Sequence, residues 1–114
     1  MATPKATLRV VFNKFPELIR KSPEKAKELV EKAAFELEAR AKLDVPVDTG
    51  TLRNSIQTTF ENDGFTGVVA TNVEYAIYVE YGTRFMSARP YFTPAVEQVR
   101  ASFERAVRDE LVAL

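Results

Sequence analysis

Residues 22–44 read SPEKAKELVEKAAFELEARAKLD and carry the longest helical pattern in the chain. Ser22 is a residue type that caps helix N-termini, and Pro23 fits the first helical position, where its missing N–H would have no partner. Apolar residues recur at helical spacing and form one stripe: Ala26, Leu29, Val30, Ala33, Ala34, Leu37 and Ala41. The pattern predicts a long amphipathic helix that ends near Pro46. The alanines in its stripe allow another element to approach it closely.

A second long amphipathic helix is predicted near the end of the chain. Thr93 and Pro94 repeat the combination of a cap residue and a proline. The apolar face that follows consists of Ala95, Val96, Val99, Phe103, Ala106, Val107 and Leu111. Leu37 and Phe103 lie in the middle of the two stripes, so we expect both to be buried in one core.

Three short segments are predicted to be strands, namely residues 7–12, 56–61 and 65–70. Asn62-Asp63-Gly64 separates the last two and predicts a tight hairpin, because these residue types accept a positive φ. Residues 14–21 contain Pro16 and are interpreted as a polar connection.

Two short helices complete the predicted architecture. The first is capped by Asp48 or Thr49 and reaches about Ser55. The second is capped by Asn72, spans residues 73–81 and stops at Gly82. The predicted fold is a single α+β domain over residues 1–114. It has a small antiparallel sheet packed against two long amphipathic helices, with two short helices.

Composition excludes most enzyme classes. The chain has no Cys and no His, which removes disulfides, thiolate nucleophiles, histidine-bearing metal sites and Ser-His-Asp catalysis. Sixteen basic residues balance sixteen acidic ones, which argues against a nucleic-acid regulator. No apolar run suits a membrane span or a signal peptide, so we expect the chain to stay in the cytoplasm where it is made. We therefore predict no catalytic residue, cofactor, metal ion or small-molecule substrate.

One triplet keeps an enzymatic alternative open. Asp48-Thr49-Gly50 matches the active-site triplet of dimeric retroviral-type aspartic proteases, in which two carboxylates share a proton. Such a protease requires a nearly all-β fold, whereas two long helical stripes are predicted here. The other interpretation of the triplet is a helix cap beside a permissive glycine.

Aromatic residues concentrate in the second half of the chain, at Tyr75, Tyr78, Tyr81, Phe85, Tyr91 and Phe92. Glu74 and Glu80 lie among them, which disfavours a platform for stacking bases and favours core or interface packing. The irregular loop at residues 83–92 mixes apolar and arginine side chains in the way typical of protein interfaces. Its interface candidates are Arg84, Phe85, Met86, Arg89 and Tyr91. The alternative is that Phe85 and Met86 fill the subunit's own core.

Three motifs in this order resemble one protein family. They are VDTGTLRNSI at residues 47–56, YAIYVEYGT at residues 75–83, and RPYFTPA at residues 89–95 preceded by Met86. The pattern is similar to minor structural proteins of long-tailed double-stranded DNA phages and prophages. These are the tail-completion or neck proteins, also called head–tail joining or tail-terminator-like proteins. The dense resemblance covers about half of the chain.

The resemblance implies an α+β virion assembly subunit without enzymatic activity. Such a subunit forms a homo-oligomeric ring, expected to be a hexamer, at the junction of head and tail. Its implied partners are further copies of itself, the tail-tube protein and the head-connector protein. It implies no membrane and no sequence-specific nucleic acid as partners. The implied location is the neck or tail of the virion, after assembly in the host cytoplasm.

Overall fold

The computed structural model describes residues 8–12, 16–46 and 50–113. Within these ranges the chain forms a sheet and a set of helices, so the predicted α+β class is confirmed. The strands are β1 (Leu8–Phe12), β2 (Gln57–Glu61) and β3 (Thr66–Thr71). The helices are α1 (Pro16–Lys21), α2 (Pro23–Asp44), α3 (Gly50–Ser55), α4 (Ala76–Tyr81) and α5 (Thr93–Ala113).

The sheet is antiparallel, with β3 in the centre between β1 and β2. Val69 of β3 lies opposite Val10 on one side and opposite Thr58 on the other. The β2–β3 connection confirms the predicted hairpin. Asn62, Asp63 and Gly64 have φ angles of +53°, +58° and +93°. The Asn-Asp-Gly sequence suits this left-handed stretch because these residues adopt positive φ most readily.

Helix α2 crosses one face of the sheet at close range. A Cβ atom added at Gly67 would lie 2.9 Å from Ala34 Cβ and 3.2 Å from Val30 Cγ1. Phe60 of the neighbouring strand β2 packs against Phe35 of α2, with the two rings edge to face and their centroids 5.5 Å apart. Small residues on both elements thus bring helix and sheet together, as the alanine-rich stripe predicted.

Helix α5 packs against α2 and completes the core. The largest fully buried side chains of this core come from all parts of the described chain: Leu18, Val30, Leu37, Leu52, Ile56, Val69, Val99 and Tyr91. Leu37 is fully buried and Phe103 is 8% exposed, and both belong to the same apolar cluster. The prediction that the two long helices share one core is confirmed.

The interpretation of residues 14–21 as a polar connection is wrong from Pro16 onward, because Pro16–Lys21 forms helix α1. Leu18 is 1% exposed, and its burial in the core holds this short helix in place. Ser22 lies at the junction and donates its backbone N–H to the Leu18 carbonyl at 2.7 Å. Ser22 is positioned at the start of α2 as predicted, but its side chain makes no capping hydrogen bond.

Helix α4 is shorter than predicted. It begins at Ala76 rather than Val73, and no side-chain cap hydrogen bond is found at its start. The predicted cap at Asn72 is therefore wrong. Instead, the Thr71 hydroxyl accepts the backbone N–H of Val73 at 3.2 Å, which holds the segment in a non-helical turn.

The predicted helix after the Asp-Thr-Gly triplet is present as α3, from Gly50 to Ser55. Asp48 and Thr49, its proposed caps, lie outside the described residues. No helix among the described residues combines the length and the apolar character that crossing a membrane requires.

Candidate functional site

Helix α4 has two contrasting faces. Ala76, Val79 and Glu80 are buried, at positions i, i+3 and i+4 of the helix. Tyr78 and Tyr81 lie on the outer side and are 51% and 68% exposed. This short helix therefore anchors itself by one face and presents aromatic side chains to solvent on the other.

Glu80 places a carboxylate in the interior at the start of α5. Its Oε1 accepts the backbone N–H groups of Tyr91 at 3.0 Å and Phe92 at 2.8 Å. Its Oε2 accepts the backbone N–H of Thr93 at 2.9 Å. The N–H groups at a helix N-terminus have no partner within the helix, and the helix dipole favours a negative charge there. Glu80 thus caps α5 from a distant part of the chain, and we call this arrangement the Glu80 clamp.

The clamp also sets the ionisation of Glu80. Burial alone would raise the pKa of this carboxyl. The hydrogen bonds from Phe92, Thr93 and Tyr91 stabilise the charged form and outweigh burial, so the pKa of Glu80 lies below its ordinary value. The carboxylate is therefore charged at neutral pH although its side chain is 2% exposed.

Tyr91 closes the corner between α4 and α5 from the inside. It is completely buried, and its hydroxyl donates to the Ala76 carbonyl at 3.2 Å. Burial, followed by the negative charge of Glu80, raises the pKa of this hydroxyl. The prediction of Tyr91 as an interface residue is therefore corrected: its ring is buried in the core of its own subunit.

A tight turn projects from this corner. Gly82 has φ +77°, and a Cβ atom added there would lie 2.7 Å from the backbone nitrogen of Ala88. The next residues close a loop in which Thr83 N–H donates to Met86 O at 2.8 Å and Met86 N–H donates to Thr83 O at 3.2 Å. The Thr83 hydroxyl also accepts the Phe85 N–H at 3.1 Å. Residues 83–86 thus form a hydrogen-bonded turn, which we call the display turn.

The other four predicted interface residues lie on or beside the display turn. Phe85 is 87% exposed and Met86 37% exposed, so the alternative that they fill the subunit's own core is wrong. The Arg84 guanidinium lies 4.9 Å from the centroid of the Phe85 ring. Arg89 has an exposed side chain and donates its backbone N–H to Val79 O at 2.8 Å. These four residues form one surface region, and their role in an interface stays a prediction.

Sequence reasoning missed the Glu80 clamp. The sequence shows Glu74 and Glu80 only as two acids that disfavour base stacking, whereas in the structure Glu74 is exposed and Glu80 is buried. A signal was present in the sequence. Glu80 continues the apolar positions Ala76 and Val79 on one helical face, and a carboxylate in an apolar stripe requires a buried partner. The sequence did not show that this partner is the start of α5.

The described part of the chain contains no cluster of acidic side chains suited to holding a metal ion. It also has an α+β architecture, whereas the protease interpretation of Asp48-Thr49-Gly50 requires a nearly all-β fold. Of that triplet, Gly50 is the first residue of α3.

Comparison with known proteins gives one family. The family model described as "Bacteriophage HK97-gp10, putative tail-component" matches residues 11–82. No curated protein and no solved structure matches the chain. The matched part includes α2, the sheet from Val11 onward and α4, and it ends at Gly82, just before the display turn. Since the match covers more than half of the 114 residues, the chain belongs to the HK97-gp10-like family of phage tail components.

Proposed function

We propose that the protein is a structural subunit at the head-proximal end of a phage tail. In this role it forms a homo-oligomeric ring, with six copies as the expected number, that completes the tail and joins it to the head connector. The family supports a tail-component role. The more specific position at the neck rests on the resemblance of the three motifs to tail-completion proteins.

The observation that carries the proposal is the display turn. A phenylalanine 87% exposed contributes little to the fold of its own subunit. The turn nevertheless has two backbone hydrogen bonds, a glycine with positive φ and a braced start of α5 behind it. An exposed aromatic side chain on a hydrogen-bonded turn is suited to inserting into a neighbouring protein, where it becomes buried.

The partners proposed for this surface are other copies of the subunit, the tail-tube protein and the head-connector protein. The chain would act in the neck of the virion after assembly in the host cytoplasm. Such a role requires no catalytic residue, cofactor or small-molecule substrate. It also requires no membrane and no sequence-specific nucleic acid.

The proposal is tested by removing the gene from its phage and imaging the particles by electron microscopy. We expect filled heads and separate tails, and purified wild-type protein added to the extract should restore joined particles. Gold-labelled protein should then mark the neck. Joined, infectious particles in the absence of the protein would contradict the proposal, as would a label at the distal tail tip.

A further inference from the structure

A groove runs between α2 and α5. Its volume is about 160 Å³, and its apolar lining is supplied by Leu29, Ala33, Val99, Phe103 and Ala106. Its polar rim consists of Lys32, Glu36 and Ser102. An apolar cavity of about 150 Å³ accommodates a benzene ring. The groove therefore has room for one phenyl side chain against its apolar residues.

The display turn offers such a side chain. Phe85 is 87% exposed at the tip, so it does not occupy the groove of its own subunit. The turn is fixed by the Glu80 clamp to the first residue of α5, Thr93, whereas the groove lies along Val99 to Ala106. At 1.5 Å of rise per residue, the groove begins about 9 Å further along this helix and extends to about 20 Å. The phenyl group and the groove are thus two separate sites on one subunit.

The charges of the two sites are complementary. Residues 81–92 contain Arg84 and Arg89 and no acidic residue. The groove and the depression beside it carry more carboxylates than amines. The four carboxylates and two amines are those of Glu28, Glu31, Glu36 and Glu110, and of Lys25 and Lys32. A basic turn therefore meets an acidic surface when one copy of the chain approaches another.

Two of these four carboxylates already have ion-pair partners on their own helix. Glu28 lies 3.6 Å from Lys25, and Glu36 lies 3.3 Å from Arg40. Among the described residues Glu31 and Glu110 have no such partner. They can therefore receive Arg84 of a neighbouring subunit.

We propose that Phe85 of one subunit inserts into the α2–α5 groove of the next subunit, with Arg84 facing Glu31 and Glu110. The occupant of the groove is a second copy of this chain. This inference rests on the proposed ring and specifies its interface. Each subunit inserts one phenyl group and accommodates one from its neighbour, so the two sides of the contact are different surfaces. Such a heterologous contact closes into a ring when the rotation between subunits allows it.

The test uses the absence of cysteine from the chain. Ser87→Cys places a thiol beside the display turn and Ser102→Cys places one at the groove, and both are small changes at exposed positions. Phage lacking the gene is complemented with an equal mixture of the two variants. The purified tails are then oxidised mildly and their disulfide-linked dimers identified. We expect a mixed disulfide that joins one Ser87→Cys chain to one Ser102→Cys chain, and no link in tails built from either variant alone.

Two controls sharpen the result. Thr59→Cys is exposed on β2 and should not link to Ser87→Cys in the same mixture. Adding Phe85→Ala to the Ser87→Cys chain should lower the yield of the mixed disulfide at least about tenfold, because it removes the inserted side chain.

The possible outcomes distinguish a failure of the proposed interface from a failure of the proposed tail role. Incorporated subunits without the mixed disulfide would overturn the proposed interface and leave the tail role intact. A disulfide between two Ser87→Cys chains would indicate a symmetric contact and overturn it as well, and so would a Ser102→Cys thiol that links only to a different tail protein. Joined, infectious particles that contain no copy of the subunit would overturn both proposals.

Discussion

The α2–α5 core and the α4–α5 corner are stabilised by different kinds of interaction. In the core, many apolar side chains contribute, each in proportion to the surface it buries. In the corner, one carboxylate satisfies three backbone N–H groups. The comparison teaches that the core spreads stability over many residues, whereas the corner concentrates it in Glu80 and can be lost with a single side chain.

The largest expected effect tests the core. Truncating Leu37 or Phe103 to alanine should lower the free energy of unfolding by about 2–5 kcal/mol, because each change leaves a cavity beside a buried helix face. Thermal or denaturant unfolding measures this loss. As a matched control, Leu43→Ala removes a leucine that is 83% exposed on the same helix as Leu37 and should be nearly neutral. Losses below about 1 kcal/mol at both buried positions would contradict a core shared by the two long helices.

The next effect tests the corner. Glu80→Ala removes the acceptor of three N–H groups, two of them buried, so we expect a loss of about 2–4 kcal/mol in the free energy of unfolding. Glu80→Gln keeps one carbonyl oxygen, brings an amide that repels the N–H groups, and should cost about 1–3 kcal/mol. Glu74→Gln changes an exposed carboxyl of the same region and serves as the control. Equal stability of the Glu80 and Glu74 variants would contradict the clamp.

The pH dependence of the same variants sharpens this prediction. The pKa of Glu80 is lowered in the folded protein, so its contribution is complete above the pKa of an unfolded glutamate, about 4.3. That contribution is lost as the pH falls through the lower pKa of the folded state. The stability difference between wild type and Glu80→Gln should therefore shrink below pH of about 4. Urea unfolding at several acidic pH values measures it, and a difference that grows on acidification would have the wrong sign.

A smaller effect tests the backbone of the corner. Gly82→Ala requires a residue with Cβ to adopt φ +77° and ψ 177° within 2.7 Å of the Ala88 nitrogen, and we expect it to cost about 1–3 kcal/mol. The control is Gly50→Ala, where the added Cβ has no atom within 4 Å and the residue opens α3. That change should be neutral or slightly stabilising. Equal unfolding temperatures for the two variants would contradict the strained turn.

The core was predictable because its residues repeat. Leu37 and Phe103 belong to stripes that the helical period defines, and the period determines which side of a helix faces inward. The hairpin at Asn62 to Gly64 was predictable for a local reason, since its residue types favour positive φ. Both predictions needed only information carried within one segment of the chain.

The corner could not be predicted in the same way. Glu80 and Tyr91 depend on contacts with residues more than ten positions away, which no periodic pattern records. The prediction of an irregular loop at residues 83–92 placed the exposed Phe85 and the buried Tyr91 in one group, because both are aromatic. Only the fold distinguishes them, because Tyr91 is buried beside the Glu80 clamp whereas Phe85 is exposed on the display turn.

The most direct test of the account is the double variant Arg84→Glu with Phe85→Ala, measured for both folding and particle assembly. We expect the free energy of unfolding to stay within about 0.5 kcal/mol of wild type, since both residues are exposed. In the gene-deleted phage, the same variant should leave heads and tails unjoined, whereas Leu43→Ala should restore infectious particles. Normal titres from the folded double variant would contradict the central claim that the display turn is the assembly surface of this tail component.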